Sequence, residues 1–136
     1  MEYQEELFAG IPMVFEGVND EELAADAVKN PMIAGVLERL SVEKNIELGL
    51  KINPKAKRVV AILDDTITGQ AERKRYYQCA EQYPQLEFDE INVSQSRSFT
   101  IRYNLGSLSK DTILIYIVMT EDIDGRRYTD KQAIDL

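Results

Sequence analysis

The chain of 136 residues contains no histidine. That absence removes Ser-His-Asp triads, imidazole general bases and nearly every zinc site built on imidazole. Its single cysteine, Cys79, has no intrachain partner for a disulfide. Lying beside Ala80 in a helical pattern, it suits a small buried side chain. No run of lysine and arginine is long enough to track a phosphate backbone. The nearest groups are Lys55, Lys57 and Arg58, then Arg73, Lys74 and Arg75, which read as solvated element ends. With a formal net charge of −8, the chain argues against a nucleic-acid partner. No apolar stretch reaches the roughly 18 residues needed to cross a bilayer. The amino terminus, with Glu2, Glu5 and Glu6 after Met1, lacks the basic and apolar regions of a signal peptide, so the chain as written reads as soluble. Gly69 and Gly125 stand alone and build no phosphate-binding loop.

What is present is an ordinary globular composition, 44% hydrophobic and 29% charged, at a length that fits one domain with a real core. Ile11 to Phe15 reads as a short buried strand, and Glu16 to Asp20 as the turn after it. Glu21 to Lys29 suits a helix capped by Asn19 or Asp20 and stopped by Asn30-Pro31. Ile33 to Leu37 is a second apolar stretch. Ser41 is placed to cap a helix whose apolar face is Val42, Ile46 and Leu50, ended by Asn53-Pro54.

Arg58 to Leu63 is apolar on both faces, as a central parallel strand must be. Asp64 to Gly69 reads as a loop. Gln70 to Tyr83 reads as a helix with Ala71, Tyr76, Tyr77, Ala80 and Tyr83 on its inner face. Leu86 to Val93 is the next strand. A helix opening at Ser94 to Ser98 carries Ile101, Leu105 and Leu108 inward, and Ile113 to Met119 forms another strand. Thr120 to Gly125 makes a loop, and Tyr128 to Leu136 begins a helix with no strand to follow. From residue 41 helix and strand alternate, which predicts an α/β fold with a parallel sheet between two helical layers, its sheet incomplete.

Ligands of open parallel sheets collect at the carboxyl ends of the strands. Three loops fall there: Asp64 to Gln70, Asn92 to Gln95, and Thr120 to Gly125. Their hydroxyls and carboxylates suit a small polar or cationic ligand, and equally suit helix capping. Asp64-Asp65 invites comparison with phosphoacceptor receiver domains, with Thr120 as the later hydroxyl. The acceptor Asp after a third strand and the Lys after a fifth have no counterpart. A haloacid-dehalogenase motif needs Asp-x-Asp-x-Thr, and Asp64-Asp65-Thr66 has another spacing. Glu121, Asp122 and Asp124 lack the ligand spacing of a calcium loop and read as a solvated turn.

Six segments in order carry a family resemblance. Ile11-Pro12-Met13-Val14-Phe15-Glu16-Gly17-Val18-Asn19 resembles a PVVFxGVN segment, and Ala34-Gly35-Val36-Leu37-Glu38 a TGVxE segment. Ile52 to Val59 resembles LxPxxKxV, and Asp64-Asp65-Thr66-Ile67-Thr68-Gly69 resembles DxTxTG. Ser109 to Tyr116 resembles LPxDTxVLY, and Asp122-Ile123-Asp124-Gly125-Arg126 resembles DxDGR. Together they are similar to the ABC-type substrate-binding proteins of the type I periplasmic-binding fold. That fold also serves as the extracytoplasmic sensor of bacterial histidine kinases and diguanylate cyclases.

The resemblance implies a two-lobed domain. Residues 1–35 would be the end of the first lobe and 36–136 an incomplete second lobe. It implies a small polar solute as ligand, no catalytic residue, no cofactor and no metal. It implies a membrane-anchored, extracytoplasmic parent, with homodimerisation open. The alternative parents are an ABC importer, whose solute receptor this would be, and a phosphotransfer or Mg²⁺-dependent α/β domain. The implied ligand-facing residues are Asn19 from the first lobe, then Asp64, Thr66, Thr68 and Gly69, then Thr120, Glu121 and Asp122. Glu16 stands where many relatives carry a small residue or cysteine.

Overall fold

A computed structural model describes residues 4–136. Of the segment on which the signal-peptide expectation rests, Met1 to Glu6, the first three residues lie outside the described ones. The chain divides into two compact units, one through Leu40 and one from Ser41 to Leu136.

The first unit holds α1 (Gln4–Leu7), β1 (Met13–Val18), α2 (Glu21–Ala27) and β2 (Ile33–Leu37). β1 and β2 pair in parallel, Met13 opposite Ile33 and Glu16 opposite Val36. The strand expected from Ile11 starts later because the Ile11 N–H closes a turn onto the Phe8 carbonyl at 3.0 Å. It also runs on through the segment expected to turn. Gly17, at φ +67°, absorbs a bulge between Glu16 and Val18 where the register shifts. Asp20 caps α2, accepting from the Leu23 N–H at 2.9 Å. β2 runs across positions 35 and 36, so Val36 and Leu37 stay paired with β1.

The second unit is a parallel sheet flanked by helices. It contains α3 (Val42–Ile52), β3 (Arg58–Leu63), α4 (Ile67–Ala80), β4 (Glu87–Asn92), a 3-10 turn (Val93–Gln95), α5 (Ser98–Gly106), β5 (Thr112–Tyr116) and α6 (Asp130–Ile134). The strand order is β4-β3-β5, all parallel, with Arg58 level with both Glu87 and Thr112. β3 alternates strictly. Val59, Ala61 and Leu63 pack with Val42 and Ile46 of α3 and Tyr76 and Cys79 of α4. Val60 and Ile62 pack with Ile101 of α5 and Ala133 of α6. Both faces of β3 are thus covered, which is why it reads as a continuous apolar run. The crossover direction reverses after β4, and the connecting helix changes face with it, as right-handed βαβ units require.

Three expectations need correction. Ser41 occupies the N-cap position of α3 but makes no side-chain cap hydrogen bond. α4 begins at Ile67 rather than Gln70, because Thr66 caps it, its Oγ1 accepting from the Gly69 N–H at 3.1 Å. Its inner stripe is Gly69, Glu72, Tyr76 and Cys79, with Tyr77 40% exposed beside it. β5 ends at Tyr116 rather than Met119, because the N–H groups of Ile117 and Val118 both converge on the Ile62 carbonyl at 3.2 Å. Among the described residues no helix is long and apolar enough to cross a membrane.

Candidate functional site

The carboxyl ends of β3, β4 and β5 lie side by side, and the chain leaves β3 and β5 toward opposite faces of the sheet. α4 follows β3 onto one face and α6 follows β5 onto the other. That divergence between adjacent strands is the topological switch point where doubly wound sheets open a crevice.

Asp64, the first residue after β3, is fully buried at this point. Its Oδ1 accepts from the Thr66 N–H at 3.1 Å and from Thr66 Oγ1 at 2.5 Å. Its Oδ2 accepts from the Thr120 N–H at 3.0 Å and from Thr120 Oγ1 at 2.7 Å. One carboxylate therefore ties the α4 cap to the loop beyond β5, and its buried charge is met by four donors. Gly69 is required beside it. A Cβ there would stand 2.2 Å from the Asp64 carbonyl oxygen and 2.4 Å from Oδ1.

Asp65 turns toward β4. It accepts from Asn92 Nδ2 at 2.9 Å and Gln95 Nε2 at 3.1 Å, and its N–H donates to Ser94 Oγ at 3.0 Å. Arg73 of α4 approaches Asp65 Oδ1 at 2.9 Å and donates through Nε to Glu90 of β4 at 3.0 Å. Donation from Asn92 and Gln95, reinforced by Arg73, outweighs burial and holds the Asp65 carboxyl below its ordinary range.

The third loop is organised by Asp122, also buried. Its Oδ1 accepts from the N–H groups of Asp124 and Arg126, both at 3.0 Å, and its Oδ2 from Tyr128 Oη at 2.7 Å. Burial raises its proton affinity, but Tyr128, the two N–H groups and the Arg126 charge together leave it lowered. Glu121 is held by Arg127 at 2.8 Å. The Ile123 N–H donates to the Ser96 carbonyl at 3.2 Å, which fastens this loop to the start of α5.

Of the residues expected to face a ligand, Asp64, Thr66, Gly69 and Thr120 converge at the switch point. Thr68 lies in the first turn of α4, while Glu121 and Asp122 sit further along the β5 loop. Asn19 belongs to the first unit, between β1 and α2. The rim side chains left at the surface are Thr66, Gln70, Gln95 and Thr120, with Ile67 80% exposed beside them. Arg73, expected with Arg75 to be a solvated element end, is half-buried within α4, and Glu90 escaped the sequence reading altogether. They sit in mid-helix and mid-strand, and only an acidic β4 position opposite a basic α4 position would have signalled them. Among the described residues no group of three or more cysteine or acidic side chains could hold a metal ion. The oxygens of Asp64 and Asp65 already receive N–H and O–H donors, which a divalent cation would have to displace.

No protein-family model, curated protein or solved structure matches the chain.

Proposed function

We propose that this chain is part of a small-molecule-binding sensor domain of the type I periplasmic-binding kind, in which the second unit holds a small polar solute at the carboxyl ends of β3, β4 and β5. The parent would be an extracytoplasmic, membrane-anchored histidine kinase or diguanylate cyclase. The alternative parent is an ABC importer served by this chain as solute receptor. The observation that carries the reading is the network joining Asp64, Asp65, Thr66, Asn92, Ser94, Gln95 and Thr120 across the switch point. Three separate loops are held there in one geometry by groups that need no ligand to keep them in place, a form of preorganisation that lowers the cost of binding. Asp64, Gly69 and Asp122 enter as positioning groups. Thr66, Thr68, Thr120 and Glu121 enter as the side chains that meet solute. Asn19 enters on the resemblance alone.

This assignment favours hydroxyl-rich or zwitterionic solutes over simple cations, because each carboxylate at the rim already has donors of its own. A thermal-shift screen with sugars, amino acids and polyamines tests it. A solute at a hundredfold its Kd stabilises by about 2.7 kcal/mol, a rise of several degrees for a chain of this size. The reading fails if no solute class raises the melting temperature. A transmembrane segment joined to a kinase or cyclase module, or a lipoprotein signal, in the full gene product separates the two parents.

A further inference from the structure

A hydroxyl has one hydrogen to give and two lone pairs to receive with, whereas an ionised carboxylate only receives. Thr66 and Thr120, both exposed at the rim, have each spent that hydrogen on the same buried group. Thr66 Oγ1 donates to Asp64 Oδ1 and Thr120 Oγ1 donates to Asp64 Oδ2. Thr66 Oγ1 also accepts from the Gly69 N–H, so one lone pair is left on it. Toward solvent both oxygens therefore offer lone pairs and no hydrogen. Gln70 and Gln95 each commit an amide hydrogen to Asp65, one at its carbonyl and one at Oδ2. Asn92, whose Nδ2 holds Asp65, keeps a buried Oδ1 without a partner, one more acceptor. Arg73 and Arg127, the cations bound into these loops, are spent on Asp65, Glu90 and Glu121.

We propose that Asp64 sets the hydrogen-bond polarity of the solute site, so that the site takes an uncharged solute rich in O–H donors, a sugar or polyol, and turns away carboxylates and phosphates. The inference rests on the solute-site reading above and narrows it. A polyol sets a hydroxyl hydrogen against each threonine oxygen. Both threonines hang from one carboxylate, so a single small molecule can reach the two of them. A carboxylate or phosphate brings oxygen against oxygen at both places and forfeits these bonds. It also meets the charges of Asp64, Asp65 and Glu121. An amino acid shares the penalty through its own carboxylate. The donors that remain do not reverse this. The Ser94 hydroxyl keeps its hydrogen, but it lies against the Asp65 N–H at 3.0 Å, beside the Asp65 carboxylate. The positive end of α4 is already answered by Asp64, bonded to the Thr66 that caps it. Rejection through unmatched polar groups is stronger than rejection by shape in an apolar pocket.

Titration calorimetry on the whole chain tests this, after a thermal-shift panel of hexoses, pentoses and inositols, their acids and phosphates, amino acids and polyamines. At least one neutral solute is expected to bind, and its matched acid and phosphate to bind about a hundredfold more weakly or not at all. Thr120→Val removes one outward lone-pair oxygen and should weaken the neutral solute roughly tenfold, whereas Thr120→Ser should restore it. Asp64→Asn gives an amide hydrogen to one threonine oxygen and releases that threonine's own hydrogen, so it should shrink the preference for neutral over acid about tenfold. If Asp64→Asn does not fold, the two Thr120 variants decide alone. An acid or phosphate that binds as well as its neutral counterpart, an unchanged affinity in Thr120→Val, or an unchanged preference in folded Asp64→Asn overturns the proposal. Binding of amino acids or polyamines without any neutral solute overturns it too, while leaving the solute-site reading in place. Silence from every class overturns both.

Discussion

Asp64 shows how one buried carboxylate can organise a site. Four donors from two threonines converge on it, one pair at each oxygen. An amide in its place presents a hydrogen-bearing nitrogen to one of those pairs and leaves buried donors unmatched. Asp64→Asn is therefore expected to lower stability by about 2–4 kcal/mol, read as a fall in the urea midpoint at constant m-value. Asp65 and Asp122 make a separate prediction, because the donors around them hold their folded-state carboxyls below the ordinary carboxylate range. A depressed carboxyl adds stability above its unfolded pKa and loses it as pH falls through the folded value. Stability should be level above about pH 5 and decline below about pH 4. The Asp65→Asn, Asp122→Asn double variant should lose less across that window, as measured by denaturant titrations at a series of pH values. Asp64, Asp65 and Asp122 were legible in the sequence as carboxylates at strand ends. That each would be held by donors within the protein was not, because those donors include Thr120, Asn92 and Tyr128, distant in sequence or hidden among core residues.

At the scale of elements, β3 was read to the residue because both of its faces are buried and no polar side chain interrupts it. α4 was read less well for two physical reasons. Its start hides in Thr66, whose hydroxyl is a helix cap but also resembles a ligand-facing group. Its inner stripe includes Glu72, a fully buried carboxylate paired with Arg75, so the apolar periodicity is broken by a charge. β5 was overread because Ile117, Val118 and Met119 remain apolar after the ladder ends, with Met119 buried in the core beneath α5 and α6. The Glu72–Arg75 pair makes a prediction of its own. Arg75→Met takes away the cation paired with this buried carboxylate and should cost about 3 kcal/mol, whereas adding Glu72→Met should restore much of that loss. A double-mutant cycle by chemical denaturation measures the difference.

For the whole molecule, the alternating order of helices and strands was enough to foresee a parallel α/β sheet with helices on both faces, and the division into two units follows from which strands pair. The periplasmic-binding reading rests on six short segments and on the convergence of three loops at one end of the sheet. Its central claim is a place: solute meets Thr66, Thr68, Thr120 and Glu121 at the carboxyl ends of the strands. Amide NMR spectra of the whole chain, recorded while a solute selected by thermal shift is titrated in, test that place most directly. The expected result is saturable movement of the amides of residues 65–70, 94–95 and 120–122, with those of residues 53–57 and 109–111 at the amino ends of the strands unmoved. Movement confined to the amino ends, or no saturable movement with any solute, would contradict it.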